Sequence, residues 1–169
     1  MSERELRRML DYASDFCEHH FAKKGEIAPM WHAITSDGQK LIEPHPTYLG
    51  KDMAAATIRI FFDLRDLIRY VYIGEAWTLN RLIRPEEEEE IFRKGISEHP
   101  DRVEVVQLQG EDRDYGQIIA SRDIIRPAKG KPYLGPLTMV NDLPHVPQGA
   151  TITSEGRMVG MLPVRGTRQ

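Results

Sequence analysis

The sequence predicts an α+β domain: a mainly antiparallel sheet with helices packed on one face, followed by an irregular Pro/Gly-rich C-terminal extension. Three observations carry that expectation. Apolar residues recur at three- and four-residue steps near the N-terminus and again from Lys51 to Ile68, the spacing of amphipathic helices. Short β-branched and aromatic runs lie between and after these stretches, separated by turn signals such as Asp37-Gly38, which favours hairpins. Six prolines and six glycines fall between Pro127 and Gln169, too many for long regular elements.

The chain of 169 residues has the length of one domain by the rough 100–200-residue prior, which excludes a multidomain machine. We expect an α+β domain over residues 1–126 and the extension over 127–169, lying on the body or on a partner. Its single cysteine, Cys17, permits no internal disulfide and suits a reducing compartment. No apolar run reaches the ~18 residues of a membrane span, and Ser2-Glu3-Arg4-Glu5 lacks a signal peptide's apolar region. A cytoplasmic protein with no membrane partner is the expectation.

Leu6, Met9, Leu10, Ala13, Phe16, Cys17 and Phe21 share one stripe of a 3.6-residue period and define the first helix. Ser2 with Glu5 fits a capping box, and Gly25 after Lys23-Lys24 supplies the stop. Cys17 sits in the apolar stripe and reads as a small core residue. Residues 29–43 read as a hairpin closed by Asp37-Gly38 and ended by Pro44 and Pro46. From Lys51 to Ile68 a second helix is expected, with Met53, Ala56, Ile60, Phe61, Leu64 and Ile68 along its packing face. Residues 70–79 form the best strand of the chain, expected to be central. Pro85 and the run Glu86–Glu90 open a short helix whose acids face solvent and the positive end of the dipole. A calcium site is disfavoured because the run lacks the alternating ligand layout. His99-Pro100-Asp101-Arg102 is a turn, and Val103–Leu108 with Tyr115–Ala120 make a second hairpin.

Charge is unevenly spread. Arg126, Lys129, Lys131, Arg157, Arg165 and Arg168 outweigh Asp142 and Glu155, a net +4 over residues 126–169, leaving −7 on residues 1–125 of a chain whose formal charge is −3. An acidic body repels phosphate backbones and the tail's cations are sparse, so nucleic-acid regulation through the basic tail ranks last.

Glu75 is the most pointed candidate for chemistry. Strict alternation puts Val71, Ile73, Glu75, Trp77 and Leu79 on one strand face, and a carboxylate there needs a cation, hydrogen-bond donors or a raised pKa. It is either a general base in a pocket, the partner of Arg59, Arg65 or Arg69, or turned outward by a bulge at Gly74. The last two are the simpler readings. Of the six histidines, His19 and His20 point ~100° apart on a helix. His32 lies on the Met30/Ile34 face, His45 between two prolines, His99 in a turn and His145 before Val146-Pro147. None forms the i, i+4 pair of a helical zinc site, and one cysteine excludes thiolate clusters. A metal would therefore need a site assembled across space from His32, His45, His99 and Glu75. There is no G-x-S-x-G elbow and no phosphate-binding glycine loop. Cys17 with His20 is an i, i+3 pair far from a helix N-terminus, where a reactive thiol usually sits. No cofactor is assigned.

At Ala28-Pro29-Met30, Glu75-Ala76-Trp77 and His99-Pro100-Asp101-Arg102-Val103-Glu104-Val105 the chain resembles small uncharacterised bacterial and phage proteins. In these, a proline-led strand precedes an E-A-W strand and an H/S-P-D-R-x-E-V turn and strand. The resemblance covers about residues 26–108 and implies a shared α+β domain without an activity. The pattern also has a structural cause. Pro100 holds His99 extended, Asp101 can bond the turn's backbone, and Arg102 can pair with Glu75 or the glutamate run.

The expected function is that of a non-enzymatic protein-binding or assembly protein, using the C-terminal extension for a protein partner or a homo-oligomer. The alternative is a small hydrolase or nucleotide-processing enzyme, built on Glu75 with His32 or His99 and a divalent metal.

Overall fold

The structure, a computed structural model, describes residues 1–140 and 160–163. Helix α1 spans Ser2–Lys24, followed by β1 (Met30–Thr35), β2 (Lys40–Pro44), α2 (Lys51–Leu64) and β3 (Leu67–Thr78). Then come α3 (Glu88–Lys94), β4 (Val103–Asp112), β5 (Gly116–Ile125), β6 (Tyr133–Leu134) and β7 (Thr138–Met139). The strands lie in the order β2-β1-β3-β4-β5-β6, with β7 also paired to β5, and every pairing is antiparallel. The chain is thus an α+β protein with an antiparallel sheet, and β3 is central.

Alternation along the strands divides the core in two. Met30, Val71, Ile73, Val106, Leu108 and Ala120 pack with Leu6, Leu10, Ala13, Cys17 and Phe21 of α1. On the other faces of β1 and β3, Trp31, Ala33 and Tyr70 pack with Ile58 and Phe62 of α2, Leu67 and Met161. The expected helical face is the one α1 covers; α2 belongs to the second cluster. β1 shows why: five of its six residues are buried, as in a strand covered on both sides.

Helix α1 stops as its sequence requires. Gly25 takes φ 72°, in the left-handed region, and its N–H bonds the Phe21 carbonyl at 2.8 Å, a glycine C-cap. Its start departs from expectation. Met1 is the N-cap and provides no side-chain bond. Glu5 instead accepts from Arg69 Nη2 at 2.7 Å, so the capping box is replaced by a tertiary ion pair. Arg69 also bonds Asp112 at 2.7 Å, and both residues of that second pair are buried. Where α1 crosses β4, a Cβ on Gly110 would sit 2.9 Å from Leu6 Cδ1. A larger residue there would have to displace the buried Leu6 side chain.

The second helix is shorter than its periodicity suggests, ending at Leu64. Asp66 at φ 50° turns the chain, a left-handed conformation that Asp tolerates better than most residues, and Ser36 N–H and Oγ bond its carbonyl and carboxylate. Ile68 therefore enters β3 instead of closing α2. The first part of the extension continues the sheet. Leu134 and Tyr133 pair with Ile124 and Ile125, while Met139 and Thr138 pair with Ala120 and Ser121. Buried Arg122 fastens this edge, donating to the Gly135 carbonyl at 2.6 Å and to Glu18 of α1 at 2.9 Å.

Candidate functional site

Glu75 lies on the α1 face of β3, as alternation requires, but it is exposed. Register through Gly74 is unbroken, with Ile73 opposite Leu108 and Glu75 opposite Val106, so no bulge turns it outward. The reason is the length of α1: its cap at Gly25 leaves the end of this face open, and Glu75 accepts the Ile27 N–H at 2.7 Å. None of the three arginines expected to pair with it does so. Arg69 holds Asp112 and Glu5, Arg65 bonds Gln39, and Arg59 donates to the Gly160 carbonyl. Arg126 is bidentate to Glu104 at 2.7 Å, and the Glu75 charge adds a smaller attraction.

The histidines are dispersed. His32, on the α1 face, packs edge-on against Phe16 with ring centres 5.1 Å apart, and its buried Nε2 has no hydrogen-bond partner among the described residues. Burial lowers its pKa. His45 lies across the sheet, where its Nδ1 accepts the Trp31 indole N–H at 3.2 Å. His99 sits near α3, its Nδ1 accepting Asp101 N–H at 3.0 Å and its Nε2 3.3 Å from Glu87. That pattern places the ring proton on Nε2, facing the carboxylate. His99 thus makes the backbone bond expected of Asp101. Glu75, His32, His45 and His99 are not brought together. His145 lies outside the described residues. Among the described residues no three His, Cys, Asp or Glu side chains are placed to hold one metal ion. Burial pushes the Cys17 thiol up to about 12, against a smaller lowering pull from Arg122, so the thiolate needed for nucleophilic chemistry is absent at neutral pH.

The glutamate run contains a residue whose role sequence reasoning missed. Glu87 is largely covered and receives Arg81 through two bonds of 2.8 Å, Arg84 at 3.0 Å and the His99 ring. These donors hold its carboxyl far below the usual carboxylate range. Arg81 reaches Asp101 as well, at 3.0 Å, so Glu87 ties α3 to the His99 turn. The only signal for this was Arg81 and Arg84 preceding the acids at short spacing. A cleft of about 270 Å³ opens beside the cluster, lined in part by Arg84, Glu87, Lys94, Glu98 and His99. Its charges are largely spent on one another, Lys94 on Glu90 at 3.0 Å included. A polar ligand would have to displace existing ion pairs. Arg102 pairs with neither Glu75 nor the glutamates; its guanidinium lies 4.9 Å from the Trp77 ring centre.

The largest departure from expectation is on α2. Its buried residues are Ala54, Ala55, Ile58 and Phe62, whereas Met53, Ala56, Ile60 and Leu64, expected to pack inward, are exposed. Met53 is 59% exposed, Ile60 62% and Leu64 77%. At 100° per residue these positions centre directly opposite the buried face. Thr57 falls among them, and its hydroxyl bonds the Met53 carbonyl at 2.8 Å, which leaves its methyl to the surface. None of these five residues is charged; Asp52 and Asp63 border the stripe on the side of Ala56 by the same geometry. The outward side of α2 thus presents an apolar stripe three turns long to solvent. Comparison with known proteins adds no relative: no protein-family model, curated protein or solved structure matches the chain.

Proposed function

We propose that this chain is a non-enzymatic association protein, working in the cytoplasm, whose contact surface is the outward stripe of α2. The observation that carries the proposal is that α2 is apolar on two opposite sides and only one of them is buried against the described residues. The distribution of chemistry supports it. The candidate acid and imidazoles stand apart, the cleft beside Glu87 is filled with mutually paired charges, and the one thiol is buried. The described parts of the C-terminal extension are engaged with the body: Leu134 in the first core cluster and Met161 in the second. The rest of the extension lies outside the described residues, and the proposal is built on the helix.

Ile60→Glu tests this. Ile60 is outside both core clusters, so thermal unfolding should stay within about 0.5 kcal/mol of the parent, as for surface substitutions generally. Sedimentation velocity should show the parent associating with rising concentration, or with an added binding protein, and the variant failing to do so. Identical, monomeric sedimentation of both forms, with the same proteins captured by each, would overturn the proposal.

A further inference from the structure

The stripe also indicates what covers it. We propose that the partner is a second copy of this chain, its α2 laid antiparallel across the first about a two-fold axis between residues 58 and 59. This rests on the association reading above and adds the identity and orientation of the partner.

Two features of the stripe fix that register. Met53, Ala56, Ile60 and Leu64 step by three, four and four residues, an eleven-residue spacing that keeps them on one side of the helix. In an antiparallel pair, placing Ile60 over the partner's Ala56 and Thr57 sets a large side chain against small ones. The same register sets Met53 against the partner's Leu64, so both ends of the seam are filled at once. A second copy therefore meets large with small at the centre and apolar with apolar at the ends, with Asp52 and Asp63 bordering the seam on the side of Ala56. The area is consistent as well. The stripe exposes on the order of 500 Å² per chain, a size the largest patch of a monomer can have. Complete burial on two chains would give about 1,000 Å², the lower bound for a specific interface and the size of a reversible one.

Cysteine cross-linking reads the orientation. Met53 and Leu64 stand about 16 Å apart along one helix, beyond the roughly 7 Å limit for a disulfide within the chain. In the double variant Met53→Cys, Leu64→Cys, mild oxidation of the full chain should give a dimer, with the 53 peptide joined to the 64 peptide in mass spectrometry. Each single variant alone should cross-link at least about ten-fold more slowly, since like positions lie a helix length apart. Adding Ile60→Glu should abolish the cross-link. Joining of 53 to 53 and 64 to 64 would overturn the antiparallel register. A chain that stays monomeric and uncross-linked, yet binds another protein through a surface that Ile60→Glu destroys, would overturn the second copy while leaving the association reading intact. No cross-link and no effect of Ile60→Glu on any binding would overturn both.

Discussion

A buried imidazole with nothing to bond is a residue-scale liability that depends on pH. His32 Nε2 has no partner among the described residues, and burial lowers the ring's pKa in the folded chain. The groups around it, Tyr12 and Phe16 from α1 and Val71 from β3, provide no charge to offset that shift. As pH falls below about 6.5 the unfolded chain takes up a proton that the folded ring refuses, so stability present above that pH declines, by at most about 1.4 kcal/mol per pH unit. In urea denaturation His32→Phe should flatten this decline between about pH 6.5 and 5 while staying within about 1.5 kcal/mol of the parent above pH 7. The flattening is partial, because burial lowers the His45 pKa too. An unchanged slope would show that His32 does not titrate as its surroundings require. Single residues were unevenly legible. Cys17 was readable because its neighbours on the stripe are all apolar. Glu75 was placed on the correct face but given the wrong environment, since alternation reports the side of a sheet and not where the covering helix ends.

At the scale of elements, α2 shows how periodicity misleads. Its sequence carries two apolar stripes: Met53, Ile60 and Leu64 point outward, while Ile58 and Phe62 pack inward and Ala54 and Ala55 bring the helix against the sheet. Side-chain size marks a conspicuous stripe, but small residues allow close packing. The segment around α3 is legible as a helix opened by proline and acids, yet its anchor came from Glu87, one of five consecutive glutamates that pattern alone cannot tell apart. Glu87→Gln should accelerate amide exchange across residues 85–102 and leave β3 and β4 protected; equal protection throughout would contradict the anchoring role. The same contact sets an acid limit. A carboxyl held this low contributes stability that is present above the ordinary Glu pKa of about 4.3 and is lost as pH falls through its folded value. This segment should therefore loosen on acidification below that range.

For the whole molecule, fold class and the central strand followed from patterning, because hairpin signals and β-branched runs are local. The two-sided core did not, since it depends on which face of β1 each helix reaches. Its trace was present in Met30-Trp31-His32-Ala33, which is buried at every position. The extension's pairing with β5 was likewise hidden, because two-residue strands leave no periodicity to read. What the molecule does with the outward side of α2 is most directly tested by the oxidation rate of Met53 under dilute peroxide, measured by mass spectrometry over a range of protein concentrations. Buried Met161 and an added methionine derivative serve as the slow and fast references. A second copy covering the stripe predicts that Met53 oxidises like the free derivative when dilute and slows towards Met161 as concentration rises. Rapid oxidation at every concentration, or protection that dilution does not relieve, would contradict it.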